Sequence, residues 1–214
     1  SDLGGVYMLG EQRGTVIREN FIHDVSRARY GGWGIYFDSG SSHILASGNL
    51  AVDCGDGGWF LARLSASNKV SDNVFAFGKT YQICPLDRRA ESAASEFTGN
   101  VVYWREGPLW PQEPSAKTVV CRGNLLWREG GRPPAAPDGF AVSDPQFANP
   151  SGGDFRRPGA AAPAAGTGCR LRPRTGALPR PPAVFPPAPP RVEKAFPDAD
   201  FETLAVGSAW PGWT

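Results

Sequence analysis

The sequence predicts an all-β fold, a solenoid of short parallel strands in the manner of a parallel β-helix. Three observations indicate it: 27 glycines and 21 prolines among 214 residues, apolar runs of about three to five residues, and a repeat about one coil long. So many turn-forming residues disfavour long helices and favour closely spaced strands. The hydrophobic fraction of 41% is enough for a core, and the charged fraction of 20% does not suggest disorder.

An asparagine followed by an apolar residue recurs five times, at separations of 29, 24, 27 and 24 residues. These asparagines are Asn20, Asn49, Asn73, Asn100 and Asn124. We expect them to form an amide ladder at a turn, where Asn tolerates left-handed backbone geometry and its side chain bonds neighbouring coils. The residues that follow them should form a buried ladder next to it; they are Phe21, Leu50, Val74, Val101 and Leu125.

A second register supports the same coil length. Gly5, Gly34 and Gly58 each lie 15 residues before one of the first three asparagines of the repeat, and each is followed by a short apolar run. Leucine-rich repeats have a similar period, but they need a leucine ladder that is missing here, and propeller blades need roughly 40 residues. Short strands with turns between them, returning to their start after about 24 residues, fit a coil of a parallel β-helix.

Composition divides the chain into three parts. Residues 1–155 hold the coils and an irregular segment that should close or cover the last coil. Residues 156–195 are rich in Pro, Ala and Arg, which predicts an extended linker. Residues 196–214 are apolar again and resemble the start of a truncated further domain. Since the first recognisable coil begins near residue 4, we also expect upstream coils and further domains of the same parent chain.

Several partners and groups are not expected. The net charge of +1 argues against a nucleic-acid partner, and no stretch approaches the roughly 18 apolar residues of a membrane span. Neither the cysteines nor the two histidines show metal-ligand spacing, so we expect no metal and no cofactor. The spacing of the cysteines is compatible with disulfides and with buried free thiols. Free thiols are favoured, because a chain of this size with a hydrophobic core does not need disulfide cross-links. The cysteines are Cys54, Cys84, Cys121 and Cys169.

The run IRENFIHDVSRARYGGWGIYFDSGSSHI resembles right-handed parallel β-helix proteins of the pectin-lyase-like superfamily, of the kind found in bacterial polysaccharide degradation. The motifs DNVFAFG, NVVYWREGPL and SDPQFANPSGGDFRRPGAAA resemble later parts of the same family, so residues 4–165 match its C-terminal portion. The resemblance implies right-handed coils, a polysaccharide or oligosaccharide partner, and a secreted, periplasmic or cell-surface location. The ending DFETLAVGSAWPGW resembles the start of a concanavalin-like β-sandwich domain.

Asp38 is the leading candidate for a catalytic carboxyl group, since it ends the strand GIYFD beside glycine-rich turns in the most family-like segment. In that strand Ile35 and Phe37 should face the core, so Tyr36 and Asp38 should point outward. Tyr36 and Trp33 are candidates for stacking on sugar rings. We expect this surface to form a groove that solvent can reach.

His23 and Asp24 are the candidate catalytic partners of Asp38. Arg88 is a candidate substrate-binding residue, because this chain retains the arginine of the family motif at that position. Glycoside hydrolysis needs two carboxyl groups about 5–5.5 Å or 6.5–9.5 Å apart. Spacing does not select Asp24 over the other acids that could pair with Asp38, which are Asp53 and Asp56. Each of these side chains also has an ordinary structural role open to it, as a turn cap, core ring or buried imidazole.

Three departures from the family pattern put catalysis in doubt. Ser39 stands where the family motif has its second acid, the segment WFLARLS lacks the expected histidines, and no histidine accompanies Arg88. Two functions therefore remain open: a hydrolase or lyase that cleaves polysaccharide, and a β-helix that binds carbohydrate or serves as surface structure without catalysis.

Overall fold

The computed structural model describes residues 2–86, 93–114, 116–130 and 135–157. Within these ranges the chain forms fifteen short strands and one 3-10 helix, Pro150–Gly152. The first sheet contains β1 (Gly4–Met8), β4 (Trp33–Phe37), β7 (Gly57–Leu61) and β10 (Ile83–Pro85). The second contains β2 (Val16–Arg18), β5 (Leu45–Ser47), β8 (Lys69–Ser71), β11 (Ser95–Thr98) and β13 (Val119–Arg122). The third contains β3 (Phe21–His23), β6 (Leu50–Val52), β9 (Val74–Ala76), β12 (Val101–Trp104), β14 (Asn124–Arg128) and β15 (Phe140–Val142).

All pairings between these strands are parallel, and the strands of each sheet follow one another in chain order. From β1 to β12 the chain passes through the first, second and third sheets in turn and then begins again with the next strand of the first sheet, whereas β13, β14 and β15 extend only the second and third sheets. The described part is therefore nearly all-β, consistent with an all-β parallel solenoid. It is compatible with the parallel β-helix that the repeat predicts.

The predicted amide ladder is confirmed. The side-chain nitrogen of Asn20 donates to Oδ1 of Asn49 at 2.9 Å, and Asn49 donates to Asn73 at 2.9 Å. Asn73 donates to Asn100 at 2.9 Å, and Asn100 donates to Asn124 at 3.2 Å. All members except Asn20 are buried, so each coil is tied to the next by hydrogen bonds that water does not replace.

The backbone part of the ladder prediction is wrong, because the left-handed residue is the one that precedes each asparagine. These residues have φ between 54° and 65°, and they are Glu19, Gly48, Asp72, Gly99 and Gly123. Glycine holds three of the five places because it adopts positive φ without steric cost. The asparagine therefore contributes to the turn through its side chain, and its neighbour supplies the backbone geometry.

The glycine register has a packing explanation. In the first sheet Gly4 pairs with Trp33 and Val6 with Ile35, which sets Gly5 opposite Gly34. A Cβ on Gly58 would lie 2.5 Å from Cδ1 of Phe75, a residue of the third sheet. The inward side chains of the third sheet thus pack directly on the backbone of the first sheet, and a side chain there would push the sheets apart.

The ladder of apolar residues after the asparagines lies on the outer face of the third sheet. Its middle members Leu50, Val74 and Val101 are buried, in register with partly buried Phe21 and Leu125. The predicted burial is confirmed, although the inner core contains the alternate residues of these strands, such as Ala51, Phe75, Val102 and Leu126.

The irregular segment 143–157 provides the cover for that outer face. Phe155 is 3% exposed, and its ring lies 6.0 Å from Phe77 and 5.2 Å from Phe147. Arg105 places its guanidinium 4.0 Å from the centre of the Phe77 ring and donates to the Ser151 hydroxyl at 2.6 Å. The segment therefore packs on the side of the last coils.

The described residues cover the remaining predictions only in part. Cys54, Cys84 and Cys121 are free thiols, and Cys169 lies outside the described residues. The linker 156–195, apart from its first two residues, and the segment 196–214 also lie outside them. In the described ranges, no helix is long and apolar enough to cross a membrane.

Candidate functional site

The site predicted around Asp38 lies on the outer face of the first sheet. Ile35 and Phe37 are fully buried in the inner core, as the alternation of β4 predicts. Tyr36 belongs to the opposite face, where it packs in a separate apolar cluster with Phe60 and Trp33. The predicted direction of each side chain is therefore confirmed.

The expectation that Trp33 and Tyr36 offer open rings for sugar stacking is wrong in this structure. Trp33 is 1% exposed and Tyr36 is 3% exposed. The Phe60 ring lies 4.6 Å from the Trp33 ring and 4.7 Å from the Tyr36 ring, and Tyr7 packs edge-on against Tyr36 at 4.9 Å. Parallel strands stack equivalent positions one above another, so a column of aromatic residues covers itself.

Asp38 follows the carboxyl end of β4 and is partly exposed. Its Oδ2 accepts a hydrogen bond from the Tyr7 hydroxyl, and its Oδ1 accepts from the Ser39 backbone nitrogen at 2.6 Å and from the Ser39 hydroxyl at 3.2 Å. Three donors therefore hold this carboxylate in one orientation. Tyr7 is 45% exposed, so the pair presents a solvent-accessible tyrosine beside a carboxylate.

Both tyrosines of this surface have a raised pKa. The Asp38 hydrogen bond, with desolvation and the Asp38 and Asp2 charges, raises the pKa of Tyr7 to about 12. Burial raises the pKa of Tyr36 further above its ordinary value, and the hydrogen bond to Asp2 Oδ1 at 2.7 Å adds to the shift. Both phenols are thus hydrogen-bond donors at neutral pH, and neither is suited to act as a base.

His23 and Asp24 form a separate exposed pair at the end of β3. Nδ1 of His23 lies 2.8 Å from Oδ2 of Asp24, and the imidazole stacks on the Phe21 ring at 4.6 Å. Asp24 has a left-handed backbone with φ of 54°, as expected for an acid in a turn. This pair belongs to the third sheet, whereas Asp38 follows the first.

The candidate acids are not brought together with Asp38. Asp24, Asp53 and Asp56 lie in the loops that lead from the third sheet to the amino ends of β4 and β7, and Asp38 follows the carboxyl end of β4. A five-residue strand spans ~16 Å, which exceeds both carboxyl separations used in glycoside hydrolysis. Asp56 is also committed elsewhere, since its buried Oδ1 accepts from the Arg27 guanidinium.

Two further predictions concern Arg88 and a metal. Arg88 lies outside the described residues, so its proposed contact with substrate stays a prediction. Among the described residues no three His, Cys, Asp or Glu side chains form a group suited to a metal ion. The functional roles of Asp38, Asp24 and His23 likewise stay predictions.

Tyr7 is the residue that sequence reasoning missed. It pairs with Tyr36 in the register of β1 and β4, and it offers the exposed ring that Tyr36 does not. The signal was present, because Tyr7 lies two residues after Gly5 as Tyr36 lies two residues after Gly34. Applying the 29-residue offset to the aromatic residues as well as to the glycines finds it.

No family model matches the chain, and no curated protein or solved structure matches it significantly.

Proposed function

We propose that this protein is a right-handed parallel β-helix of the pectin-lyase-like type that binds polysaccharide without cleaving it. The motif resemblance supports the family and the handedness, and parallel crossover connections are right-handed in nearly all folds. A polysaccharide ligand places the protein outside the cytoplasm, in a secreted, periplasmic or cell-surface location.

The observation that carries the binding function is the Tyr7–Asp38 pair. The Tyr7 ring is 45% exposed and its hydroxyl is held by Asp38, so the ring is fixed in position before any ligand arrives. A rigid aromatic face next to a carboxylate suits a sugar ring, whose C–H face packs on the aromatic and whose hydroxyl groups donate to the carboxylate. Fixing the ring beforehand reduces the entropy lost on binding.

The surroundings of Asp38 favour binding over cleavage. None of the candidate acids Asp24, Asp53 and Asp56 lies at the same end of β4 as Asp38, so none of these three supplies the second carboxyl group that hydrolysis needs. Lysis needs a base and a cation that neutralises the uronate, and the nearest donor to Asp38 is the neutral phenol of Tyr7.

A polysaccharide-cleaving enzyme is the second candidate, and the partial exposure of the Asp38 carboxylate favours it. In that case Asp38 acts as the general acid or base, and replacing it with Asn lowers kcat by about 10²-fold or more while the fold is retained. The two candidates therefore differ in turnover and not only in affinity.

The test is to incubate the protein with a panel of plant and algal polysaccharides. Binding is followed by affinity electrophoresis, and cleavage by reducing ends and by the absorbance of unsaturated products. We expect retardation by at least one polysaccharide and no cleavage product. Tyr7→Ala should weaken binding about tenfold, or about 1.4 kcal/mol, because it removes the stacking ring.

The matched control is Tyr30→Ala, which removes another tyrosine of 45% exposure from the amino end of β4. It should leave retardation unchanged, and Tyr7→Phe should retain most of the affinity because the ring remains. Equal loss in Tyr7→Ala and Tyr30→Ala, or no retardation by any polysaccharide, removes the Tyr7 site. Measurable turnover that is lost in Asp38→Asn establishes the enzyme instead.

A further inference from the structure

A cleft lies at the end of the described strands opposite β1. It has a volume of about 690 Å³, and its lining includes Trp104, Leu109, Trp110, Glu113, Arg128 and Pro137. The carbonyl of Leu109 accepts hydrogen bonds from the backbone nitrogens of Gln82 and Ile83 at 3.1 and 3.0 Å, so the cleft adjoins the first sheet just beyond β10. Its volume falls within the range of about 300–1,000 Å³ that small-molecule sites occupy.

Two tryptophans contribute to the lining of this cleft. Trp104 is buried in the core at the end of β12, and partly exposed Trp110 packs against the same core. The Trp110 ring meets the Phe140 ring edge-on at 5.8 Å. Packing thereby anchors both ends of the loop between the two tryptophans, and partly exposed Trp110 is the aromatic residue of the lining that a ligand can reach.

Among the described residues, the cleft is lined by one cation, Arg128, and one anion, Glu113. Nε of Arg128 donates to the Arg105 carbonyl at 2.9 Å, which fixes the guanidinium and leaves its terminal nitrogens as donors. Glu113 is exposed, and no hydrogen bond or ion pair reaches its carboxylate from the described residues. The cleft therefore offers a strong donor, a strong acceptor and an aromatic face.

This combination selects a neutral ligand. An anion would be attracted by Arg128 and repelled by Glu113, and a cation would meet the reverse, so a net charge has no advantage in this cleft. A hydroxyl group both donates and accepts, and it can satisfy either side chain. A sugar ring adds the apolar face that stacks on an aromatic surface.

We propose that the cleft binds a neutral oligosaccharide, with a sugar ring against Trp110 and its hydroxyl groups on Arg128 and Glu113. The cleft is separate from the Tyr7–Asp38 surface, because four interstrand steps, ~19 Å, separate β1 from Leu109. Its test therefore does not depend on the outcome at Tyr7.

The experiment titrates the whole chain with neutral tetrasaccharides of glucose, xylose and mannose, and with a tetragalacturonate as the charged comparison. Tryptophan fluorescence reports the binding, since two of the lining residues are tryptophans. We expect at least one neutral tetrasaccharide to bind. Trp110→Ala should raise its Kd at least tenfold, and Glu113→Ala at least threefold.

Glu113→Gln separates the two ligand charges, because it retains the acceptor oxygen and removes the charge. A neutral ligand should bind this variant within about threefold of the wild type, whereas an anion should bind it more tightly. Glu96→Ala, which removes an exposed glutamate from β11, is the matched control and should change nothing. Tyr7→Ala should also leave this binding unchanged.

Three results overturn the proposal: no neutral tetrasaccharide binds, the tetragalacturonate binds more tightly and gains from Glu113→Gln, or Tyr7→Ala removes the signal. Trp110 packs against the core, so its replacement is accompanied by a circular dichroism melt. If that variant does not fold, Glu113→Ala and Arg128→Met decide the matter. Unchanged affinity in both of those variants rejects the site.

Discussion

Replacing Asn73 with Ala should be among the most destabilising single changes in the amide ladder. Asn73 is fully buried, and its side chain takes part in four hydrogen bonds. Its Oδ1 accepts from the backbone and side-chain nitrogens of Asn49, both at 2.9 Å. Its Nδ2 donates to Asn100 Oδ1 at 2.9 Å and to the Ala46 carbonyl at 3.1 Å.

The magnitude follows from the groups that lose their partners. The backbone N–H of Asn49 and one of its amide hydrogens are left buried without an acceptor, while Asn100 Oδ1 still accepts from the Asn73 backbone at 3.0 Å. A buried donor without a partner costs about 1–3 kcal/mol. Two such donors predict a loss of about 2–6 kcal/mol, a large share of the 5–15 kcal/mol that stabilises a typical domain.

Urea unfolding followed by far-ultraviolet circular dichroism measures this loss, and Asn20→Ala is the matched control. Asn20 is an exposed end member of the ladder, and its removal leaves the backbone bond to Asn49 Oδ1 at 3.1 Å intact. The control should cost at most about 1 kcal/mol. If the two variants lose equal stability at unchanged m-value, burial of the ladder does not explain its energy and the reasoning fails.

Three further predictions concern other parts of the molecule. Burial raises the pKa values of the Cys54 and Cys84 thiols to about 12 from 9.0, so the folded state retains protons that the unfolded state loses. The contribution of these thiols to the free energy of unfolding should therefore be fully present below pH 9 and fall by about 1.4 kcal/mol per pH unit for each thiol up to pH 12. Urea midpoints that do not change from pH 9 to 11 contradict this. Val101→Ala should cost about 1–3 kcal/mol by urea unfolding, because the side chain is buried under the closing segment, whereas exposed Val142→Ala should stay within about 0.5 kcal/mol. Arg105→Met should cost about 1 kcal/mol and speed proteolysis within 143–157, since it removes the contacts to the Phe77 ring and to Ser151; unchanged cleavage there would show that apolar packing alone holds the segment.

The repeat in the sequence was sufficient to predict the architecture at the level of coils. Stacking places equivalent residues one above another at a fixed distance, so a residue type that recurs at the coil length must form a column. The five asparagines and the apolar residues that follow them meet this condition, and their predicted alignment is confirmed. The same reasoning gave the inward direction of Ile35 and Phe37, since a strand alternates its faces.

The solvent exposure of the outward side chains was not predictable from the alternation within a strand. Alternation says that Tyr36 points away from the core, but it does not say what covers the outer face. The neighbouring coils place Tyr7 and Phe60 against Tyr36, and segment 143–157 covers the outer face of the third sheet. The coil repeat aligns Tyr7 and Phe60 with Tyr36, but it does not predict that segment 143–157, which lies outside the repeat, packs on the third sheet.

The sequence by itself determined the coil length, the ladder positions and the face of each strand, because these depend on backbone geometry that repeats. Only the tertiary structure decided which aromatic ring is open, that Asp38 and Asp24 lie at different ends of a strand, and that Trp110, Glu113 and Arg128 line one cleft. A site is made by side chains from separate coils and loops. The distances between these side chains depend on how the loops pack over the sheets. The spacing of residues along the chain does not encode that packing.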